Sequence, residues 1–237
     1  MGILDLPGPM LGWIDGLLIS LPPLLRLALW GVAAGALSMW LYRCISPQER
    51  IARSRQEQVD ARRSLDQFDG EFSEAWPLIR RLLGLSLAHV GRVIGPAVVA
   101  SLPVLCLLVW MSTAYGHEYP ALPPDVEVTP APLQGRWLPG NDDPPRITIT
   151  SARLESLAEV PVPVPVPVIE KWHWWNALIG NPAGYLDAES PADRLEIALP
   201  RREVVSAGPG WMRGWEVPFF VSLIGVSLVL KRLLHIH

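Results

Sequence analysis

The sequence predicts an all-α membrane protein with three transmembrane helices, a cytoplasmic helical arm and a Pro-rich, partly β extracytoplasmic segment. Three observations lead to this fold class. Charged residues make up 18% of the 237 residues, whereas a typical soluble domain has about 25%. Three stretches are almost free of charge and approach the length of a membrane span. Most of the 25 prolines lie between the second and third of these stretches.

The first predicted span covers residues 23–42, close to the roughly twenty residues that a bilayer core requires. Trp40 and Tyr42 suit an interface. Residues 1–22 contain no Lys or Arg, and the arginine cluster follows the apolar run instead. This order is typical of an uncleaved anchor whose N-terminal segment, 1–22, is extracytoplasmic.

The second predicted span covers residues 93–113, and Pro96 and Pro103 inside it are expected to kink the helix. The third covers 214–231 and is followed by a short cytoplasmic tail, 232–237.

The two loops differ in charge, and this difference predicts the topology. Residues 43–92 carry nine arginines against seven acids, whereas 115–214 carry eight basic residues against thirteen acids. Basic loops remain in the cytoplasm, so 43–92 is predicted inside and 114–213 outside. The asymmetry indicates topology rather than nucleic-acid specificity. The excess of Arg over Lys favours a GC-rich bacterium, and hence a multi-pass protein of the bacterial inner membrane with a cytoplasmic C-terminus.

The predicted cytoplasmic segment has the pattern of a helix, in which Ser46 is the N-cap and Glu49, three residues later, completes a capping box. One interpretation is a solvated amphipathic helix with a thin apolar stripe. The other is a helical hairpin or coiled-coil arm, residues 46–75, that contacts a ribosome, a nascent chain or another partner. A second amphipathic helix, about 72–91, is expected to lead into the second span.

The extracytoplasmic segment combines three patterns. The run VPVPVPV, 160–166, must be extended and is interpreted as a stiff connector, or else as a ligand for a proline-binding domain. Residues 146–150 and 194–199 alternate like β-strands. The aromatic group KWHWW, 171–175, either rests on the membrane interface, caps a small domain or binds a partner; the last hypothesis assigns the contacts to Trp172, His173, Trp174 and Trp175.

No catalytic signature is present in the sequence, which contains no Gly-rich phosphate loop, nucleophile elbow or His-Glu-x-x-His. The five histidines are scattered, and no acid–base pair lies within a span. The prediction is a protein that is not an enzyme and has no cofactor or metal. Cys44 and Cys106 are interpreted as small apolar side chains.

Few polar side chains fall within the predicted spans. Arg26 lies three residues into the first, where it either snorkels to the outer interface or faces a polar cavity. Arg43 and Arg92 lie at the inner boundaries. Any polar groove would recruit these arginines together with Ser38, Ser101 and Ser222.

The layout resembles the three-span branch of the Oxa1/YidC superfamily of membrane insertases, which includes the archaeal DUF106 proteins, subunit 3 of the ER membrane complex and TMCO1. The second span matches the family's order of proline, apolar run, proline, apolar run and tryptophan through Pro96, Pro103 and Trp110. The third span resembles the family's aromatic start, Ser-containing helix and basic end: Trp211, Trp215, Phe219, Ser222, Ser227, Lys231 and Arg232. The resemblance covers roughly residues 20–113 and 208–237.

The resemblance implies an insertase or membrane chaperone whose incomplete helix bundle encloses a hydrophilic groove open to the cytoplasm. Client membrane proteins would pass their polar flanks through this groove, with Arg43 at the family position, and without nucleotide or metal. One departure is the connection between spans two and three, which is about a hundred residues long here and short in the family. The alternative is therefore a non-catalytic accessory or assembly subunit of one inner-membrane complex.

Overall fold

A computed structural model describes residues 2–46, 48–70, 72–140, 143–151, 153 and 155–233. The chain divides into two compact units. The first comprises Met1–Leu27 and Leu105–Phe219, and the second comprises Ala28–Val104 and Phe220–His237.

Two antiparallel three-stranded sheets form the centre of the first unit. One has the strand order β1 (Val126–Thr129), β6 (Arg194–Ile197) and β5 (Val168–Glu170). The other has the order β2 (Gln134–Leu138), β3 (Arg146–Thr150) and β4 (Ser156–Pro161). The sequence therefore predicted β3 with its exact bounds and the start of β6.

The core between these sheets is formed by side chains that alternate between buried and exposed positions along the strands. Ile147 and Ile149 of β3 are fully buried, while the intervening Thr148 is only partly covered. Opposite them, Leu195 of β6 pairs in register with Ile169 of β5. The buried residues of this cluster are Trp137, Ile147, Ile149, Val162, Val166, Ile169, Leu186, Ala192, Leu195 and Ile197.

The VPVPVPV run contributes to this core. Its first two residues end β4, and Val162 and Val166 are buried. Val162 also donates its backbone N–H to the carbonyl of Pro145 at 2.8 Å. The interpretation as a connector was incomplete, because the valines between the prolines supply apolar side chains to the domain.

The N-terminal segment contains a helix that was not predicted. Helix α1 spans Gly8–Leu17 and follows a 3-10 turn at Ile3–Asp5. Pro9 lies in its first turn, where proline costs a helix little because its missing N–H would have no partner there.

The long helices are α2 (Pro23–Ile45), α3 (Gln48–Asp66), α4 (Phe72–Ala114) and α5 (Glu216–Leu233). Two apolar segments, Pro23–Ile45 and Trp76–Ala114, are long enough to span a membrane. Helix α5 is not among them within the described residues; it has 18 residues with Glu216 in its first turn and Lys231 and Arg232 in its last.

Helix α4 is continuous where the sequence suggested two elements. Its 43 residues include the predicted amphipathic helix, the predicted second span and Pro77, Pro96 and Pro103. A helix of this length extends about 65 Å, roughly twice the ~30 Å of a bilayer core. About half of α4 can therefore cross a membrane while the other half continues beyond it.

In the second unit, α3 folds back along the first half of α4. The Ser54 hydroxyl lies 2.6 Å from Nδ1 of His89, and the Gln58 amide donates to the carbonyl of Leu85 at 3.1 Å. The residue numbers of the bonded partners decrease along α4 as they increase along α3, so the two helices are antiparallel. The hairpin interpretation of the arm agrees with this packing. The Ser46 hydroxyl is buried without a partner among the described residues, whereas Pro47 and the Glu49 side chain of the expected cap lie outside them.

Helices α2 and α5 approach closely at Gly35. A Cβ atom there would lie 2.5 Å from Cγ1 of Val226 and 2.8 Å from the backbone oxygen of Leu223. Only a glycine allows this separation without movement of one backbone, as in small-residue contacts between membrane helices. At Gly91 and Gly95 of α4, a Cβ would meet no described atom within 4 Å.

Candidate functional site

A buried polar network joins three distant parts of the first unit. Arg26 in the first turn of α2 donates from a guanidinium NH to Oδ2 of Asp15 in α1 at 3.2 Å. Tyr115, directly after α4, donates its hydroxyl to the same carboxylate, with distances of 2.7 Å to Oδ1 and 2.8 Å to Oδ2. The sequence predicted neither partner of Arg26, although two opposite charges in apolar surroundings, Asp15 and Arg26, were a usable signal.

Burial raises the energetic cost of leaving any charge in this network unpaired. Arg26 is 8% exposed and Tyr115 is 2% exposed. Arg26 is ion-paired instead of snorkelling alone, and its Nε is buried without a hydrogen-bond partner among the described residues. An unpaired buried guanidinium is very costly, so the Asp15 carboxylate is required wherever Arg26 is enclosed.

Tyr115 also lies close to two cations. The Arg26 and Arg202 guanidinium carbons lie 5.6 Å and 5.3 Å from its ring centroid, within cation–π range. Arg202 is held there by a hydrogen bond to the carbonyl of Ala114 at 3.2 Å. Burial first, and then the hydrogen bond to Asp15, raises the pKa of the Tyr115 phenol well above its usual range. The protonated phenol is therefore favoured, in agreement with its role as a hydrogen-bond donor to Asp15.

The predicted groove residues, apart from Arg26, lie in the second unit. Arg43 occupies the last turn of α2 and Arg92 the middle of α4, and both side chains are exposed. Neither arginine has an acidic partner within the part of the chain that the structure describes.

The three serines assigned to the groove are half-buried on three different helices. Ser38 lies on α2, Ser101 on α4 and Ser222 on α5. Ser101 donates its hydroxyl to the carbonyl of Val98 one turn earlier, at 2.8 Å. Such a bond satisfies a hydroxyl within an apolar helix.

The predicted partner-contact group is exposed on the first unit. Trp174 begins a 3-10 turn, Trp174–Ala177, in which the Asn176 side chain accepts the backbone N–H of His173 at 2.7 Å. The His173 and Trp175 rings stack with centroids 4.4 Å apart. Trp174 is 76% exposed, and Trp172 and Trp175 are also exposed. These aromatic side chains form an uncovered apolar surface.

A cavity of about 530 Å³ lies in the first unit, lined by residues that include Pro9, Trp110, Val164, Pro182 and Tyr185. Asp5 and Asn181 are polar lining residues, but each already bonds to backbone groups. Within the described ranges, no group of three or more His, Cys, Asp or Glu side chains is placed to hold a metal ion. The cavity therefore offers apolar contacts with few polar groups free to orient a ligand.

Cys44 and Cys106 are unpaired thiols, exposed and half-buried respectively.

Comparisons with protein-family models, with characterised proteins and with solved structures find no match. The resemblance to the Oxa1/YidC superfamily therefore rests on the span motifs alone.

Proposed function

We propose that the chain is a membrane insertase or membrane chaperone of the Oxa1 type, which moves polar flanks of client membrane proteins through a hydrophilic groove open to the cytoplasm. In this proposal α5 is the third span, residues 43–92 and the C-terminus are cytoplasmic, and residues 114–213 are outside. The membrane is the bacterial inner membrane.

The observation that carries the proposal is a pair of arginines, one on each span-length helix, that have no acidic partner among the described residues. Arg43 ends α2, and Arg92 lies at the boundary between the two halves of α4. Cations at the edge of a hydrocarbon layer can meet carboxylates and carbonyls of a passing polypeptide, which shortens its path through lipid. Arg26 differs, because Asp15 already neutralises it.

The α3–α4 hairpin provides the second support. Helix α3 is strongly charged and packs on α4 through Ser54 and Gln58, so most of its surface remains available to another molecule. In the proposed topology this hairpin, within residues 46–75 and the start of α4, contacts the ribosome or the nascent chain.

Photo-crosslinking in cells tests the proposal. A crosslinkable residue at Ser38 or Ser101 is expected to capture many newly made membrane proteins, with adducts that disappear when synthesis is stopped. Matched controls are Trp40 on α2 and Val99 on α4, both exposed. Each lies two residues away, or roughly 200° around the helix, and should capture far fewer clients.

Equal client capture from the serines and their controls would contradict a groove on that face. Absence of nascent clients at all four positions would contradict the insertase function itself.

The exposed aromatic group favours a second candidate function, a non-catalytic accessory or assembly subunit of one membrane complex. Trp172, Trp174 and Trp175 are the residue type most enriched at binding hot spots. This function predicts one stable adduct at equal stoichiometry from Trp172, and a constant complex size in native electrophoresis. Transient adducts to many proteins would exclude it.

A further inference from the structure

Helix α1 presents an apolar stripe that no described residue covers. Met10, Trp13 and Leu17 of α1 follow one another at intervals of three and four residues, and Leu6 lies just before the helix begins at Gly8. Such spacing places side chains on one face of a helix. All four are exposed, with Trp13 at 68%. The face contains no charged residue.

The opposite face of α1 is already occupied. A Cβ atom at Gly8 would lie 3.8 Å, and one at Gly12 3.7 Å, from the Trp110 ring near the end of α4, and Leu11 between them is buried. The small glycines therefore let α1 lie against Trp110, and the exposed stripe faces away from that contact.

The N-terminal residues are bonded to the tryptophan-containing segment. The Asp5 carboxylate accepts the backbone N–H groups of Gly2 and Gly180, each at 2.7 Å. The Leu4 N–H donates to the carbonyl of Leu178 at 3.0 Å. At Gly2 a Cβ would lie 2.6 Å from the backbone of Leu178 and Gly180, so this contact leaves no room for a side chain.

The segment that receives these bonds is itself apolar and exposed. Trp174, Trp175, Leu178 and Ile179 all present large uncovered side chains. The hydrogen bonds of Asp5 therefore connect two exposed apolar surfaces whose sequences lie more than 150 residues apart.

We propose that α1 and residues 174–179 together form one membrane-docking surface, which lies on the lipid leaflet at the N-terminal end of α2. Tryptophan, leucine and methionine side chains would enter the boundary between headgroups and acyl chains by about 5–10 Å. The surface holds the β-sheet unit against the bilayer.

Continuity with α2 identifies lipid, rather than another protein, as the occupant. Only residues 18–22 separate α1 from Pro23, the first residue of a span-length apolar helix. Five residues reach at most ~18 Å, so the exposed stripe is confined near the edge of the layer that α2 crosses. Tryptophans concentrate at that depth, and this inference does not depend on the insertase function.

Depth-dependent fluorescence quenching tests the proposal on the full-length protein in phosphatidylcholine–phosphatidylglycerol vesicles. An environment-sensitive dye is attached at Trp13→Cys or at Trp174→Cys, in a background with Cys44→Ala and Cys106→Ala. Both positions should show blue-shifted emission and several-fold stronger quenching by spin-labelled lipids than dyes at Leu157→Cys or Leu122→Cys. The two control positions are exposed apolar residues outside the surface.

Quenching at Trp13→Cys and Trp174→Cys no stronger than at the controls would overturn the proposal. Quenching at Trp13→Cys alone would overturn the joint surface. Adding Asp5→Ala should lower the quenching at Trp174→Cys while leaving that at Trp13→Cys unchanged, because it removes the hydrogen bond from Gly180 and so weakens the connection between the two segments. No change at either position would show that Asp5 does not couple them.

Discussion

Tyr115 donates its hydroxyl to both oxygens of Asp15, 100 residues earlier in the chain. The same carboxylate pairs with Arg26, so one acid connects the segment after α4 to the start of α2. The three side chains lie in apolar surroundings where each charge or hydroxyl depends on the others. The loss of stability expected on replacing each of these side chains follows from this arrangement.

Asp15→Asn should destabilise the protein more than Tyr115→Phe. The first leaves a buried guanidinium without its counter-charge, which costs about 3–5 kcal/mol. The second removes one hydrogen bond to a charged group, about 1.5–3 kcal/mol. Melting midpoints in detergent would measure both. The double variant Asp15→Asn/Arg26→Met should be more stable than Asp15→Asn alone; if it is less stable, the ion pair is not the source of the effect.

Gly35→Ala should lower the melting midpoint, because its Cβ would press on the α5 backbone at Leu223. Overpacking of this kind costs about 1–3 kcal/mol. Gly91→Ala is the matched control, since a Cβ there meets no described atom within 4 Å and alanine improves helix propensity by up to ~1 kcal/mol. Equal midpoints for the two variants would argue against close packing of α2 on α5.

Ser54→Ala should loosen the α3–α4 hairpin, because it removes the bond to His89 at a site only 1% exposed. Spin labels at Arg55→Cys and Leu87→Cys, with the native cysteines replaced by alanine, would report a broader distance distribution. Ser64→Ala is the control, since among the described residues the Ser64 hydroxyl bonds within α3, to the carbonyl of Asp60 at 2.9 Å. Identical distributions for both variants would exclude a role for the Ser54–His89 contact.

Arg43→Ala and Arg92→Ala should each reduce client insertion in cells, with a larger loss in the double variant. Arg43→Lys and Arg92→Lys retain the positive charge and should keep most of the activity. Insertion would be followed by a reporter fused to the translocated flank of a client. Unchanged insertion in the double alanine variant, at equal protein abundance, would remove both residues from the groove.

Acidification should destabilise the first unit through His117. Burial, followed by the nearby Arg201, lowers the pKa of His117 from its usual 6.5, while Glu216 opposes the shift. The folded protein then binds a proton less readily than the unfolded chain, so stability is lost as the pH falls below about 6.5 towards the lowered value. The melting midpoint between about pH 7.5 and 5.5 should vary less in His117→Gln; an unchanged dependence would assign the effect to other groups.

The sequence predicted the elements whose pattern is local. The apolar run of α2 was recognised because its residues differ sharply from the charged segment that follows. The alternation of apolar and polar residues in 146–150 predicted β3, because successive side chains of a strand point to opposite faces of the sheet.

Long-range contacts could not be predicted in the same way. Asp15 and Tyr115 carry no local signal of their pairing, and the Asp5 link to Gly180 depends on the folded path of the whole unit. The predicted boundary at residue 92 reflected a change from amphipathic to apolar composition, whereas the helix continues through that change. Within the site, Arg26 was recognised as a candidate because a charged side chain is costly in lipid, but its partner Asp15 was not recognised.

The prolines that alternate with core valines also protect the domain from other chains. Pro161, Pro163, Pro165 and Pro167 lack the N–H group that a neighbouring strand would need. A second copy of the protein therefore cannot extend the sheet through this stretch, although its valines are strongly β-forming. The stretch thus fills the interior through its valines and opposes intermolecular strand pairing through its prolines, and replacing these prolines would convert this domain edge into a template for aggregation.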